Sequence, residues 1–374
     1  MTDAQKLVQE AIDRLVESGV ETGVQVAAYR RGELVVDAVA GVADAATGRP
    51  LTADTPIFSA STGKSMTSSV AHVLAERGVF GYDTPIVELW PEFGTHGKQT
   101  ATIRHALTHS AGVPGVPEDT TPEDLCDWQK MCAAIADAEP WWEPSTKFGY
   151  HALTYGYIVG EIVRRATGKS ISQVLREVVA GPLGVADELF FSVPQAELGR
   201  LARLEGDNEP MDAEQIKQLE QMMPLFFKVA PLAVQPSAEL YNRTDFLTSD
   251  VPAGGSMSAR AVAHLYAALL GEVDGVRLIS PARLRELSAV AIEGVDQVFG
   301  NHARMTLGYT IGRPNSSSPE SSTTFGWSGV GGSHASADTA TGIALAVTKN
   351  RFTGADFSTA AQVAEIVTKA LGER

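Results

Sequence analysis

Strand patterns lie at the two ends of this sequence, and helical patterns fill the middle. Alternating apolar residues at 24–29 and 34–42 predict a hairpin around the turn Arg31-Gly32. Further strand patterns occupy 306–311, 323–332 and 342–348. A polar loop is predicted at 313–322 and a tight turn at 252–256. Strands at both ends of the chain, with helices between them, can pair in one sheet. The pattern therefore predicts an α+β fold. Its antiparallel sheet is built from both termini and flanked by helices, with a mainly helical domain inserted.

The same reasoning predicts two domains. Residues 1–60 and 295–374 form a sheet domain, residues 61–294 form a mainly helical domain, and the active site lies between them. Apolar residues at helical spacing predict the individual helices. These cover 7–16, 61–77, 102–108, 155–166, 215–223 and 259–270, with a last helix around 361–371.

Composition limits the partners of this chain. Its 374 residues carry a net charge of −15, which argues against a nucleic-acid or anionic-membrane partner. No apolar run is long enough to span a bilayer, and the polar N-terminus lacks a signal-peptide core, so a cytoplasmic protein is predicted. Cys126 and Cys132 are predicted to be reduced and structural, and no zinc motif is present. The oligomeric state stays open.

The strongest chemical candidate is Ser61-x-x-Lys64. On a helix these two side chains share a face. A serine hydroxyl becomes a good nucleophile when a neighbour takes its proton, and a lysine amine can do so if burial lowers its pKa. Taken alone, the motif favours a capped helix with a solvated lysine. A phosphate loop at Gly63-Lys64-Ser65 is excluded because Phe58 stands where the leading glycine would be.

Three other features each have a functional and a structural interpretation, and local sequence favours the structural one. His109 is a catalytic base or a residue that anchors a loop by a hydrogen bond. Tyr150 is a proton acceptor beside a cation or a packed tyrosine. Within residues 205–245, an apolar cluster forms either a lid or wall for an acyl chain or ordinary core. That cluster comprises Met222, Met223, Leu225, Phe226 and Phe227.

Together the motifs point to a known family. Ser61-x-x-Lys64, the segment 144–150 that ends at Tyr150, the segment 107–112, and Trp327-Ser328-Gly329 occur in an order that resembles the serine β-lactamase and penicillin-binding-protein superfamily. The sequence looks closest to the class C β-lactamase-like esterases and transacylases. The resemblance spans nearly the whole chain and implies a β-lactamase/transpeptidase-like fold.

The resemblance also implies roles for individual residues. Ser61 would be the nucleophile, Lys64 its proton partner, and Tyr150 the second member of the base pair. The backbone N–H groups of Ser61 and Val330 would form an oxyanion hole. The implied substrate-binding residues are Trp327, Ser328, Gly329 and Ala152.

Two departures from the family pattern limit the substrate. Ala152 stands where asparagine is usual, and Trp327 stands where lysine or histidine is usual, so a cation that would bind a substrate carboxylate is missing. An aromatic wall suits an apolar acyl group better.

We therefore expect a serine carboxylic ester hydrolase that forms an acyl-enzyme from a small or medium acyl ester and needs no cofactor or metal. The alternative is an acyltransferase that moves the acyl group to a small amine or alcohol. A D-amino peptidase or β-lactamase is less favoured, and the non-enzymatic alternative is a binding module.

Overall fold

A nine-stranded antiparallel sheet dominates the computed structural model, which describes residues 3–206, 213–223, 225–315 and 322–372. The strand order is β3-β2-β1-β12-β11-β10-β9-β8-β7, and a small second sheet has the order β4-β6-β5. The strands are β1 (Gly23–Arg30), β2 (Glu33–Asp44), β3 (Arg49–Pro50), β4 (Ile57–Phe58), β5 (Leu189–Phe190), β6 (Ser256–Met257), β7 (Ile292–Val295), β8 (His302–Met305), β9 (Thr310–Ile311), β10 (Thr324–Gly329), β11 (Ser333–Asp338) and β12 (Ile343–Lys349).

The first and last strands meet within the large sheet. Val26 on β1 lies opposite Ala38 on β2 and opposite Val347 on β12, and both pairings are antiparallel. The predicted hairpin and the prediction of one sheet built from both termini are therefore confirmed.

The predicted helices are present with small shifts at their ends. The α-helices are α1 (Asp3–Glu17), α2 (Lys64–Glu76), α3 (Ile86–Leu89), α4 (Ile103–Leu107), α5 (Pro122–Cys126), α6 (Trp128–Asp137), α7 (Thr154–Thr167), α8 (Ile171–Leu175), α9 (Ala213–Met222), α10 (Phe226–Val229), α11 (Ala238–Tyr241), α12 (Thr244–Leu247), α13 (Ala259–Leu270), α14 (Pro281–Ser288) and α15 (Ser358–Gly372). None of the described helices is long and apolar enough to cross a bilayer.

Helices cover both faces of the sheet. On β1, Val24 and Val26 belong to a cluster formed with α1 and α15, whereas Ala27 and Tyr29 join the larger core on the opposite face. This alternation follows from the two-residue period of a strand. Helix α13 packs on β1, β11 and β12 although it lies within the predicted helical domain. The two-domain division, like the cytoplasmic location, stays a prediction.

The C-terminal strands differ from the sequence prediction in detail. Of the predicted strand 306–311, only Thr310–Ile311 is a strand (β9). The preceding residues form a tight turn between β8 and β9 in which the N–H of Thr306 donates to the carbonyl of Tyr309. Gly308, with φ +88°, permits that turn. Strand β11 escaped prediction because small and polar residues compose it, although all are buried. Of the predicted polar loop 313–322, residues 316–321 lie outside the described ranges.

A buried ion pair joins three distant segments. The amine of Lys349 on β12 lies 2.6 Å from the carboxylate of Glu21, which also accepts a hydrogen bond from the hydroxyl of Thr359 on α15. Both charged side chains are almost fully buried. Removing one partner would leave the other charge buried without compensation.

We expect Glu21→Ala to lower the free energy of unfolding by about 3–5 kcal/mol, as is typical for breaking a buried pair. Denaturant titration of the purified variant measures this loss. Glu365→Ala is the matched control, because Glu365 pairs with Lys369 on the exposed side of α15 and its loss should leave the unfolding midpoint unchanged. Equal midpoints for the two variants would contradict the role of the buried pair.

Candidate active site

The Ser61-x-x-Lys64 pair is built at the junction of two helix types. Ser61 lies in a short 3-10 helix, Ala60–Gly63, which runs directly into α2 at Lys64. A 3-10 helix has three residues per turn, so side chains three apart eclipse each other. The amine Nζ of Lys64 consequently lies 3.1 Å from the Oγ of Ser61. Ala60, just before the serine, has a positive φ of 40°, the kind of strain that collects at functional sites.

The amine of Lys64 is enclosed by backbone carbonyls. It lies 2.7 Å from the oxygen of Ala152 and 3.0 Å from the oxygen of Ala253, and the side chain is fully buried. Burial disfavours the charged ammonium and lowers the pKa of Lys64 to about 7. The alternative of a solvated lysine on a capped helix is therefore wrong.

The Ala253 carbonyl reaches the amine because the backbone passes very close to the 3-10 helix. A Cβ added at Gly63 would lie only 2.2 Å from the carbonyl carbon of Gly254. Only glycine at position 63 allows this approach. The segment that the sequence marked as a tight turn thus supplies a partner for Lys64.

Tyr150 completes the contacts of the serine oxygen. Its hydroxyl donates a hydrogen bond of 2.6 Å to Ser61 Oγ. Burial raises the pKa of Tyr150, and the negative charge of Asp296 raises it further, although the hydrogen bond with Ser61 lowers it. Burial therefore favours the neutral phenol, and the interpretation of Tyr150 as a proton acceptor beside a cation stays a prediction. A proton donor fits this environment.

His109 anchors the loop that carries Tyr150. Its Nδ1 accepts a hydrogen bond of 2.9 Å from the N–H of His151, and its carbonyl accepts another from the N–H of Gly149. Its ring stacks on the Tyr150 ring at 5.3 Å. Burial holds the pKa of His109 well below its usual value. The structure thus confirms the loop-anchoring interpretation.

The late strand β10 brings the remaining predicted residues to the site. Trp327 is buried, and its Nε1–H donates to the carbonyl of Gly308 at 2.6 Å. Ser328 Oγ lies 2.9 Å from Nδ1 of the buried His334. A Cβ on Gly329 would lie 2.2 Å from the carbonyl oxygen of Ser59, so glycine is needed where β10 passes the serine. Val330 follows that glycine.

The site opens on a cavity of about 470 Å³. Its walls are mostly apolar, and the lining residues in the described part of the chain include no Lys, Arg or His. Asp296 is the one charged residue among them. The predicted site residues on the wall are Ser61, Tyr150, Ala152, Trp327, Ser328 and Val330.

The apolar cluster near 222–227 belongs partly to this wall. Phe226 lines the cavity, whereas Met222 is 72% exposed. The favoured interpretation of the cluster as ordinary core is therefore wrong. Residues 207–212 and 224, which the same prediction covered, lie outside the described ranges.

Comparisons with known proteins agree with this geometry. The family model described as Beta-lactamase matches residues 8–368. The chain belongs to the beta-lactamase family. It is 34% identical over 346 residues to the esterase/beta-lactamase LipL of Mycobacterium tuberculosis, a match that covers 88% of this chain and 77% of that protein.

Two solved structures of the beta-lactamase fold are similar over nearly their whole length. A family VIII carboxylesterase superposes with a TM-score of 0.89 at 30% identity, covering 99% of this chain and 98% of that one. A penicillin-binding-protein homologue from Caulobacter crescentus superposes with a TM-score of 0.84 at 31% identity and the same coverage. The predicted family and fold class are therefore confirmed.

Sequence reasoning missed several residues of the site. The carbonyl of Ala253, the carboxyl of Asp296, the ring of Phe299 and the imidazole of His334 all lie next to predicted residues. A backbone carbonyl leaves no side-chain pattern in a sequence. For Ala253 the hint was the glycine pair that follows it, because glycine allows another part of the backbone to pass close by. Asp296 and Phe299 lie in a hairpin that escaped prediction.

We expect a fluorophosphonate probe to label Ser61 faster as the pH rises through about 7, because only the neutral Lys64 amine can take the serine proton. Intact-mass spectrometry over a pH series gives the labelling rate, and peptide mapping gives the site. Lys64→Met should flatten the profile. A midpoint near the ordinary lysine value of 10.5, or labelling at another residue, would contradict this assignment.

Proposed function

We propose that this protein is a serine carboxylic ester hydrolase that works through a covalent acyl-enzyme on Ser61. One observation supports the proposal above all others. The Oγ of Ser61 lies within hydrogen-bonding distance of both the buried Lys64 amine and the neutral Tyr150 phenol, at the wall of an apolar cavity. That combination supplies a nucleophile, a base and an acid.

Acylation follows from the protons that each group carries. Once deprotonated, the Lys64 amine would keep its two N–H groups on the carbonyls of Ala152 and Ala253, and its lone pair would then accept the proton of Ser61, whose Oγ lies 3.1 Å away. As Oγ attacks the ester carbonyl, that proton passes to Nζ. Tyr150 then protonates the departing alkoxide and recovers a proton from the Lys64 ammonium, which returns the amine to its neutral form. The backbone N–H groups of Ser61 and Val330 would stabilise the oxyanion.

Deacylation reverses these proton transfers. Water occupies the place of the alcohol, loses a proton to the same Lys64–Tyr150 pair and attacks the acyl carbonyl. The Ser61 oxygen leaves with that proton, and the carboxylic acid is released. All steps use groups of this chain and the two substrates.

The cavity favours a neutral apolar ester as substrate. No lining residue in the described ranges carries a positive charge that could pair with a substrate carboxylate, and Trp327 occupies the family position for such a cation. Ala152 likewise offers no side-chain amide. A volume of about 470 Å³ is within the usual range for small-molecule sites, which suits a small or medium acyl group. Penicillins and peptide termini, which carry carboxylates, are disfavoured.

We expect Ser61→Ala to abolish hydrolysis of a short-chain aryl ester without changing the thermal unfolding curve. The loss should reach several orders of magnitude because the covalent route disappears. A spectrophotometric assay of the released phenol, beside calorimetry, tests both parts. Undiminished turnover in the variant would refute the mechanism.

Acyl transfer is the second candidate function. An apolar cavity holds water poorly, so an amine or alcohol that fits beside Tyr150 competes with water for the acyl-enzyme.

We expect added short-chain alcohol to divert part of the acyl group into a new ester while the rate of phenol release stays constant or rises. Chromatography of both products over a series of acceptor concentrations measures the partition. Free acid as the sole product at every acceptor concentration would leave hydrolysis as the function.

A further inference from the structure

The tip of the β7–β8 hairpin, residues 296–301, lies against the catalytic loop. We propose that Asp296 is a positioning residue that holds Tyr150 in place against Ser61. This inference rests on the proposed function and adds to it a residue that never touches the reacting atoms. Asp296 follows the end of β7 and is 5% exposed.

The Asp296 carboxylate organises the hairpin tip. Its Oδ1 accepts hydrogen bonds from the backbone N–H groups of Val298, at 2.8 Å, and Phe299, at 3.0 Å. The backbone of Asp296 closes the tip through hydrogen bonds with Gly300 and Asn301. A short side chain whose carboxylate accepts hydrogen bonds from two neighbouring backbone N–H groups fixes a turn that would otherwise be flexible.

The organised tip is attached to the segment that carries Tyr150. The N–H of Gln297 donates to the carbonyl of Phe148 at 3.0 Å, and the ring of Phe299 stacks on the Tyr150 ring at 5.4 Å. Burial raises the pKa of the Asp296 carboxyl, whereas the nearby backbone N–H groups of Phe299, Val298 and Tyr150 lower it. Tyr150 therefore has two stacked neighbours, His109 and Phe299.

A direct role of Asp296 in binding a substrate cation is the competing interpretation, because this residue lines the cavity. The backbone N–H groups of Val298 and Phe299 already donate hydrogen bonds to its carboxylate. Little of its charge is left to attract a ligand. A 2.6 Å hydrogen bond from Tyr150 to Ser61, in contrast, depends directly on where the loop is held.

The test replaces the carboxylate by an amide. Asp296→Asn keeps one oxygen for Val298 and Phe299, but it removes the negative charge that these N–H groups and the N–H of Tyr150 stabilise, so the tip is held less firmly. We expect kcat for a neutral aryl ester to fall about tenfold or more with KM changed by less than about twofold, since small misplacements of a catalytic group act on the reaction step. Asp338→Asn is the matched control.

Asp338 suits this purpose because it also closes a hairpin, between β11 and β12. Its Oδ1 accepts from the N–H of Ala340 and from the hydroxyl of Thr323, and it does not line the cavity. Its replacement should leave kcat and KM unchanged. An equal fall of kcat in both variants would show a general loss of folding and overturn the proposal.

A double-mutant cycle separates positioning from mere support of the fold. If Asp296 acts through the Tyr150 hydroxyl, Asp296→Asn should cause no further fall of kcat in a Tyr150→Phe background. Additive losses would overturn the proposal, and so would a raised KM confined to an ester that carries an ammonium group. If no ester is turned over, the proposed function fails. The rate at which a fluorophosphonate labels Ser61 in the same variants then still tests the role of Asp296.

A second variant changes the other side of the contact in case Asp296→Asn does not fold. A Cβ added at Gly149 would lie 3.2 Å from Cγ2 of Val298 and 3.3 Å from Cβ of Gln297, and 2.8 Å from the ring of Trp142. Gly149→Ala should push the hairpin tip away from Tyr150. We expect a fall of kcat that is again absent in the Tyr150→Phe background, and unchanged kcat would overturn the proposal.

Discussion

The desolvation of the Lys64 amine is the constraint on which the site depends. Within the described residues, the hydrogen-bond partners of Lys64 are the carbonyls of Ala152 and Ala253 and the hydroxyl of Ser61, and none of them is a carboxylate. Carbonyl dipoles satisfy two N–H bonds but do not repay the loss of hydration of a full charge, so the amine gives up its proton near neutral pH. Three chain segments must pack tightly to keep water out, and the chemistry of the site thus depends on packing.

In the proposed mechanism, the charge balance around Tyr150 decides which group is the base. With tryptophan at position 327 in place of a cation, burial and the charge of Asp296 raise the pKa of Tyr150 despite its hydrogen bond with Ser61. The phenol stays protonated while the lysine stays neutral, so the two groups are set as acid and base with their pKa values pushed apart. The same missing cation removes the partner of a substrate carboxylate. Mechanism and substrate preference therefore share one cause.

Side chains that face each other within one helix could be predicted from sequence, whereas contacts between segments could not. Ser61 and Lys64 are three residues apart, and local helical geometry alone brings them together. Tyr150, Trp327 and Val330 were placed by resemblance to a family, because no local pattern links them to Ser61. His334 and Asp296 had no signal at all, since they lie on β11 and beside β7, whose sequences do not alternate clearly. The hairpin β1–β2 and helix α13 were predictable because their apolar periodicity is strong.

The β7–β8 hairpin, which the sequence did not predict, helps to hold the site together from the edge of the sheet. Strand β7 lies at the edge of the large sheet, where a strand has one partner and its end is weakly held. Its tip nevertheless contacts Tyr150 through the ring of Phe299, which is 39% exposed. A catalytic hydroxyl held partly by an edge hairpin can be displaced without unfolding the core. Substitutions in this hairpin should therefore change turnover more readily than stability, and those in β1 or β12 should do the reverse.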